Sequence, residues 1–255
     1  MGSAYLFSIL STAAIFTLLA LSLNIITGYA GQAMMGIAAF FGIGAYTAAI
    51  ITVGGGNFWL ALIVAIGVSA IFGVLLGVIS LRLQADFLAI TTIGINFVMA
   101  AIFNSLEITG GTLGLTVSKP MLFGMKMNNT HFFFVTLVFI VIVCLLITKM
   151  RHSWFGMALA SIENDPGAAR SFGINVSKYQ ILAFTIGCAL AGLAGGLYSH
   201  RMGFISSSDF AFVVSIEIVS MCVIGGLGTL RGPIFGALFL SILPEVLRFA
   251  NDYRE

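Results

Sequence analysis

Glu163 and Asp165 stand two residues apart in the stretch KMRHSWFGMALASIENDPGAARSFGINVSK, Lys149 to Lys178, and neighbouring carboxylates are an obvious place to look for acid–base chemistry. They lie in a polar loop, where a solvated surface accounts for them better than catalysis does. The nucleophile pattern GxSxG and the zinc-protease pattern HExxH are absent. No Gly-Lys pair occurs anywhere, so the chain has no P-loop with which to bind and hydrolyse ATP. Cys144, Cys188 and Cys222 sit inside apolar runs with no CxxC spacing, and read as small apolar side chains. His131, His152 and His200 fall at the ends of apolar runs and read as loop or interfacial residues. No catalytic residue, no metal site and no cofactor is expected in this chain.

The remaining polar groups of interest are embedded in apolar sequence. Asn24 and Gln32 flank a Gly-rich break, NIITGYAGQAMMG, in which Gly28, Gly31 and Gly36 weaken helical propensity. The break is either a short loop between two helices or a discontinuous helix beside a translocation path, because irregular backbone at membrane depth must be buried in protein or line a wet cavity. Asn96 lies in the run Phe87 to Phe103, where an interhelical hydrogen bond is the first expectation and a substrate contact the second. Glu217 is the only acid embedded in the run Ala211 to Ile224. It is either one half of a structural ion pair, with Arg231 the nearest cation in sequence, or a pathway residue. Asn24, Gln32, Asn96 and Glu217 are therefore the candidates for a translocation path.

The elements that must position these groups follow from composition. Of the 255 residues 60% are hydrophobic and 8% charged, against about 25% charged in soluble domains, so the chain belongs in a lipid bilayer. A net charge of +2, spread over loops, gives no reason to expect a nucleic-acid partner. The N-terminus lacks a basic region and a cleavage site, and its apolar run reads as a first helix. Residues 4–26, 35–53, 58–80, 87–103, 132–148 and 179–199 each read as a hydrophobic segment. The pieces 211–224 and 234–243 are short and flank the Gly-rich turn GGLGTLRGP, which suggests a broken or re-entrant helix. The expected fold is all-α: a polytopic transmembrane helical bundle of about eight hydrophobic segments, forming a single domain over residues 1–255. Lys and Arg number four in the 149–178 stretch, Lys149, Arg151, Arg170 and Lys178, and two, Lys119 and Lys126, in the 104–131 loop. The positive-inside rule then places 149–178 in the cytoplasm, together with the loop of Arg82.

That cytoplasmic loop contains the parts of a short helix. Asp165 is a suitable N-cap, Pro166 fits the first helical position, Ala168 and Ala169 favour the body, and Gly173 stands just past the end. Residues 155–162 form a second short amphipathic piece. The apolar Ala168, Ala169 and Phe172 would suit docking into a groove on a soluble partner.

The Ala168-Ala169 and Gly173 spacing resembles the EAA coupling motif of bacterial ABC importer permeases, with Gly167 where that motif usually has Glu. LNIITGYAGQAMMGIAAFFGIGAYTAA, IENDPGAARSFGINVSKYQILAF, AGLAGGLY and SIEIVSMCVIGGLGTLRGPIFGALFLSILPEVLR together resemble the LivM branch of the branched-chain amino-acid permeases. The resemblance implies a permease subunit of the bacterial inner membrane. It implies a LivH-like permease partner, two ABC ATPase subunits that bind the ATP, and an extracytoplasmic substrate-binding protein. It also implies that Glu163, Asp165, Pro166, Gly167, Ala168, Ala169, Arg170 and Gly173 couple to the ATPases. A relative of the family imports urea or short amides, which leaves that cargo open; interrupted helices with Glu217 leave an ion-coupled secondary transporter open as a different class. Family members usually continue past LPEVLR with another hydrophobic helix, so a truncated sequence is also expected.

Overall fold

Uncharged apolar runs of this length have one inexpensive conformation in lipid, the α-helix, because it pairs every backbone N–H and C=O within the segment. The computed structural model describes residues 2–81, 85–117, 121–122, 125–127 and 129–252. Its helices are α1 (Gly2–Leu23), α2 (Ile37–Val53), α3 (Phe58–Ser80), α4 (Ala85–Ser105), α5 (Asn129–Arg151), α6 (Trp154–Asn164), α7 (Pro166–Ser171), α8 (Val176–Met202), α9 (Phe212–Gly225) and α10 (Arg231–Asp252). A π-helical turn, Asn24–Tyr29, extends α1. Among the described residues six helical stretches are long and apolar enough to cross a bilayer, and two shorter apolar helices, Ile37–Val53 and Arg231–Pro244, accompany them.

Helices α1 and α8 are buried along most of their length, whereas α3, α4 and α5 bury a minor share and present the rest outward. The centre is built on α8, which packs against α1, α2 and α3. Small residues allow the close approach: a Cβ added at Gly44 of α2 would strike the backbone of Gly192 on α8. Phe40, Phe41, Phe184 and Phe210 are fully buried, and Tyr46 stacks on Phe103 with ring centroids 4.4 Å apart. Cys144, Cys188 and Cys222 are all free thiols.

The connection between α4 and α5, in which sequence reasoning finds no strong element, carries two-residue strands. Leu115–Thr116 (β1) pairs antiparallel with Phe204–Ile205 (β4), which follows α8, and Met121–Leu122 (β2) pairs with Met125–Lys126 (β3). Arg82 and Lys119, used for the orientation, lie outside the described residues.

Two expectations are corrected at the end where β1 and β4 pair. His200, read as a loop or interfacial residue, lies with Arg201 in the last turn of α8. His200 is buried, its ring nitrogens 2.8 Å from the Thr52 hydroxyl and 2.7 Å from the Gly196 carbonyl, and Arg201 donates to the Ser8 carbonyl and hydroxyl. The run 211–224 also proves longer than it reads, because a 3-10 turn, Ser207–Phe210, precedes α9 and the apolar helical stretch spans Ser207–Gly225. Helices α9 and α10 then form a hairpin about the turn 226–230, and α10 continues through Pro244.

Candidate functional site

The loop between α5 and α8 folds as its sequence anticipates. The Asp165 carboxylate accepts hydrogen bonds from the N–H groups of Gly167 (2.7 Å) and Ala168 (3.1 Å), which the first turn of a helix otherwise leaves unpaired. Pro166 opens α7, and Gly173, at φ 81°, ends it in a conformation that side chains resist. Asn175 caps α8 in turn, accepting from the Lys178 N–H at 3.1 Å.

The expected docking face is divided by the structure. Ala169 points inward and packs with Ile162 and Val176, whereas Ala168 and Phe172 remain outside. Phe172 is 86% exposed and Trp154 83%, and both border a recess of about 490 Å³ that Tyr179 and Lys178 close on the α8 side. Glu163, Asp165, Pro166, Gly167 and Arg170 are exposed around it. A Cβ at position 167 would stand 3.1 Å from the Asp165 carboxylate oxygen, so Glu at that position would need a small shift of the cap.

The loop leans on the break after α1. The Arg151 guanidinium lies 5.2 Å from the centre of the Tyr29 ring, and Gly31, at φ 64°, backs against Glu163. Gly28, Tyr29, Arg151, Gly156, Glu163 and Gly228 line a small cavity of about 230 Å³ between these parts. At the start of the π turn, Asn24 donates to the Thr229 carbonyl (2.8 Å) and accepts from the Gly228 N–H (2.9 Å). The break is therefore a discontinuous end of α1, and its amide side chain holds the turn between α9 and α10. Gly28 is required beside it, because a Cβ there would strike the Asn24 side chain and come within 2.5 Å of the Gly228 nitrogen.

The four pathway candidates are not brought together. Asn24 holds the α9–α10 turn. Gln32, also buried, donates to the Ser80 hydroxyl at the end of α3 (3.4 Å), and its carbonyl oxygen has no partner among the described residues. Asn96 donates to the Phe210 carbonyl (3.1 Å) and accepts from Ser215 (3.2 Å), whose hydroxyl in turn receives the Ala38 N–H at the start of α2 (3.0 Å). The first expectation for Asn96, a bond between helices, describes it well. Ser215 and Thr92, which receives the Met35 N–H at 3.1 Å, were missed. Nothing in their local sequence distinguishes them from hydroxyls that bond back to their own helix.

Glu217 stands apart from all of these. It is exposed on α9 beside a recess between α1, α9 and α10, and makes no hydrogen bond or ion pair with any described residue. Arg231, the expected partner, heads α10 at the far side of the 226–230 turn, about two helical turns beyond Glu217.

A bundle of membrane-length helices, with a capped amphipathic loop at one end and Asn24 holding the break after α1, defines a multi-pass membrane protein. The family model described as branched-chain amino acid transport system / permease component matches residues 5–253, and the chain belongs to that family. It is 34% identical to the high-affinity branched-chain amino acid transport system permease protein LivM of Salmonella typhimurium, over 94% of this chain and 63% of that protein. It is 27% identical to the fructose import permease protein FrcC of Rhizobium meliloti, over 74% of this chain and 55% of that protein. It is 26% identical to a probable branched-chain amino acid transport permease protein LivH of Methanocaldococcus jannaschii, over 65% of this chain and 54% of that protein. The chain thus spans under two thirds of the length of these relatives. No solved structure matches.

Proposed function

We propose that this chain is the membrane-spanning subunit of an ATP-driven ABC importer for branched-chain amino acids, placed in a bacterial inner membrane. A LivH-like permease shares its pore, two ABC ATPase subunits bind the ATP, and an extracytoplasmic binding protein delivers the substrate. The single observation that carries the reading is the loop 149–178. It is a small folded unit with two short helices, a satisfied cap and two large apolar side chains, Trp154 and Phe172, held out at 83% and 86% exposure. Such side chains favour a protein partner. The excess of Lys and Arg in this loop supports a cytoplasmic position, where ATPases would meet it. On this reading the six long helices and the two shorter ones would be eight crossing segments of one domain. Amino acids are favoured as cargo by the name of the 34% identical relative; urea or short amides remain the alternative within the family.

The test is to express the full-length protein with its neighbouring genes. Copurification with ATPase subunits and ATP-dependent leucine uptake are expected, and a failure to associate with any ATPase would end this reading. A second class is favoured only by the unpaired-in-sequence acid Glu217 in a membrane helix: an ion-coupled secondary transporter. Uptake that persisted without ATP and collapsed with the proton gradient would establish it instead.

A further inference from the structure

A carboxylate at the centre of a membrane helix costs at least about 2.5 kcal/mol on insertion scales, so its retention points to something outside itself. Glu217 lies five residues into the 14-residue α9, away from both ends, and is exposed. Beside it is a recess of about 600 Å³, within the range of about 300–1,000 Å³ typical of small-molecule sites. Its polar lining is Tyr5, Ser8, Thr12, Glu217, Ser220 and Ser241, with no Lys or Arg among the described lining residues. Thr12 and Ser220 direct their hydroxyl protons to the carbonyls of Ser8 (3.3 Å) and Ile216 (2.8 Å), one turn back, which leaves oxygen lone pairs free. The Ser241 hydroxyl is buried without a partner among the described residues, and the Ser8 hydroxyl receives a hydrogen bond from the Arg201 guanidinium. The remaining walls are apolar, among them Ile9, Phe16, Ile216, Met221 and Leu240.

One carboxylate, the free lone pairs of the Thr12 and Ser220 hydroxyls, and an apolar wall are the complement of a small molecule that joins an ammonium group to a hydrocarbon body. We propose that this recess is a substrate-binding station in the membrane, at which Glu217 receives the substrate's α-ammonium group and the aliphatic side chain lies on the α1–α10 wall. The identity of the ligand as an amino acid rests on the function proposed above; the preference for an aliphatic ammonium rests on the recess alone. Arg201 stands directly behind Ser8, donating to its carbonyl and hydroxyl.

The experiment uses the full-length protein with its partner subunits in phosphatidylcholine vesicles. Glu217→Gln is expected to lower leucine uptake at least tenfold while assembly and ATP hydrolysis stay within twofold of wild type, and Glu217→Asp to retain more uptake than Glu217→Gln. In parallel, Ser220→Cys, which lines the same recess and leaves Glu217 in place, is labelled with a water-soluble methanethiosulfonate reagent, with the wild-type chain as the background. Leucine and 3-methylbutylamine should each slow labelling at least fivefold, and 4-methylpentanoate, which lacks the amine, should not. Unchanged uptake in Glu217→Gln, or uptake lost together with assembly, overturns the proposal, as does protection by the amine-free acid. Slowing of the label by added phosphatidylethanolamine without leucine also overturns it, since the recess would then hold a lipid amine. If the wild-type assembly imports no leucine, the proposed function fails by itself, and 3-methylbutylamine protection alone decides the ammonium site.

Discussion

Asn24→Ala removes one side chain and two hydrogen bonds, to the Thr229 carbonyl and the Gly228 N–H. Each backbone group left unpaired costs about 1–3 kcal/mol when buried. Thr229 is exposed and Gly228 half-buried, so water recovers part of the loss and the lower end of the summed range, about 2–3 kcal/mol, is expected. The loss is local to the 226–230 turn and should appear there first. Amide hydrogen exchange at Gly228, measured on the protein in detergent or nanodiscs, should accelerate about 30- to 150-fold, since each 1.4 kcal/mol is a factor of ten in the opening equilibrium. Amides in the middle of α3 serve as the internal control and should not change. Asn24→Asp keeps the acceptor for Gly228 and removes the donor to Thr229, so it should expose the turn without freeing the Gly228 amide fully. Unaltered exchange at Gly228 in Asn24→Ala would refute the idea that this amide side chain holds the hairpin.

Other substitutions test the loop and the packing separately. Asp165→Ala deletes the cap of α7 and should cost about 1 kcal/mol, seen as faster proteolysis within 149–178 with the rest of the chain intact. Ala169→Glu buries a charge against Ile162 and Val176, so it should unfold the loop outright, by limited proteolysis, as well as abolish uptake. Phe172→Ala, by contrast, removes only an exposed ring; loop folding should be unchanged while copurification with the ATPase subunits weakens, and a folded loop with unweakened association would argue against docking there. Gly192→Leu forces apart α2, α3 and α8 where the backbone of Gly192 meets Gly44 and Ser69, and should prevent recovery of monodisperse protein.

What sequence reasoning reached was whatever is decided locally. The caps of α7 depend on residues two and three positions apart, so Asp165, Pro166 and Gly173 announce them. The ends of α3 coincide with Phe58 and Ser80 because nothing charged interrupts the run between them. The contact of Asn24 with Thr229 joins residues 205 positions apart, and no periodicity encodes it. Ala169 was placed on the outer face of its helix because a six-residue helix has too few positions to define a face, and only packing on Ile162 settles the side. Arg231 was assigned to Glu217 because it was near in sequence, but the turn carries α10 back along α9 and leaves the two groups at different depths.

The position of Asn24 has a mechanical consequence. It begins a π turn, where the wider backbone ring interrupts the regular helical ladder and lets the end of α1 bend more readily than its middle. The same few residues touch three other parts: Tyr29 meets Arg151 at the end of α5, Gly31 meets Glu163 on α6, and Asn24 meets the α9–α10 turn. Direct contacts therefore join α6, the end of α1 and the α9–α10 turn, with no long chain of side chains between. The recess beside Glu217 has α1, α9 and α10 as its walls, and all three are tied together at this end by one amide. Walls pinned at one end can part most at the other, where Ser8 is held by Arg201 through hydrogen bonds to its carbonyl and hydroxyl. Breaking those bonds at the far end costs about 1.5–3 kcal/mol each at most, within what a partner that binds one arrangement of the loop better than the other can supply.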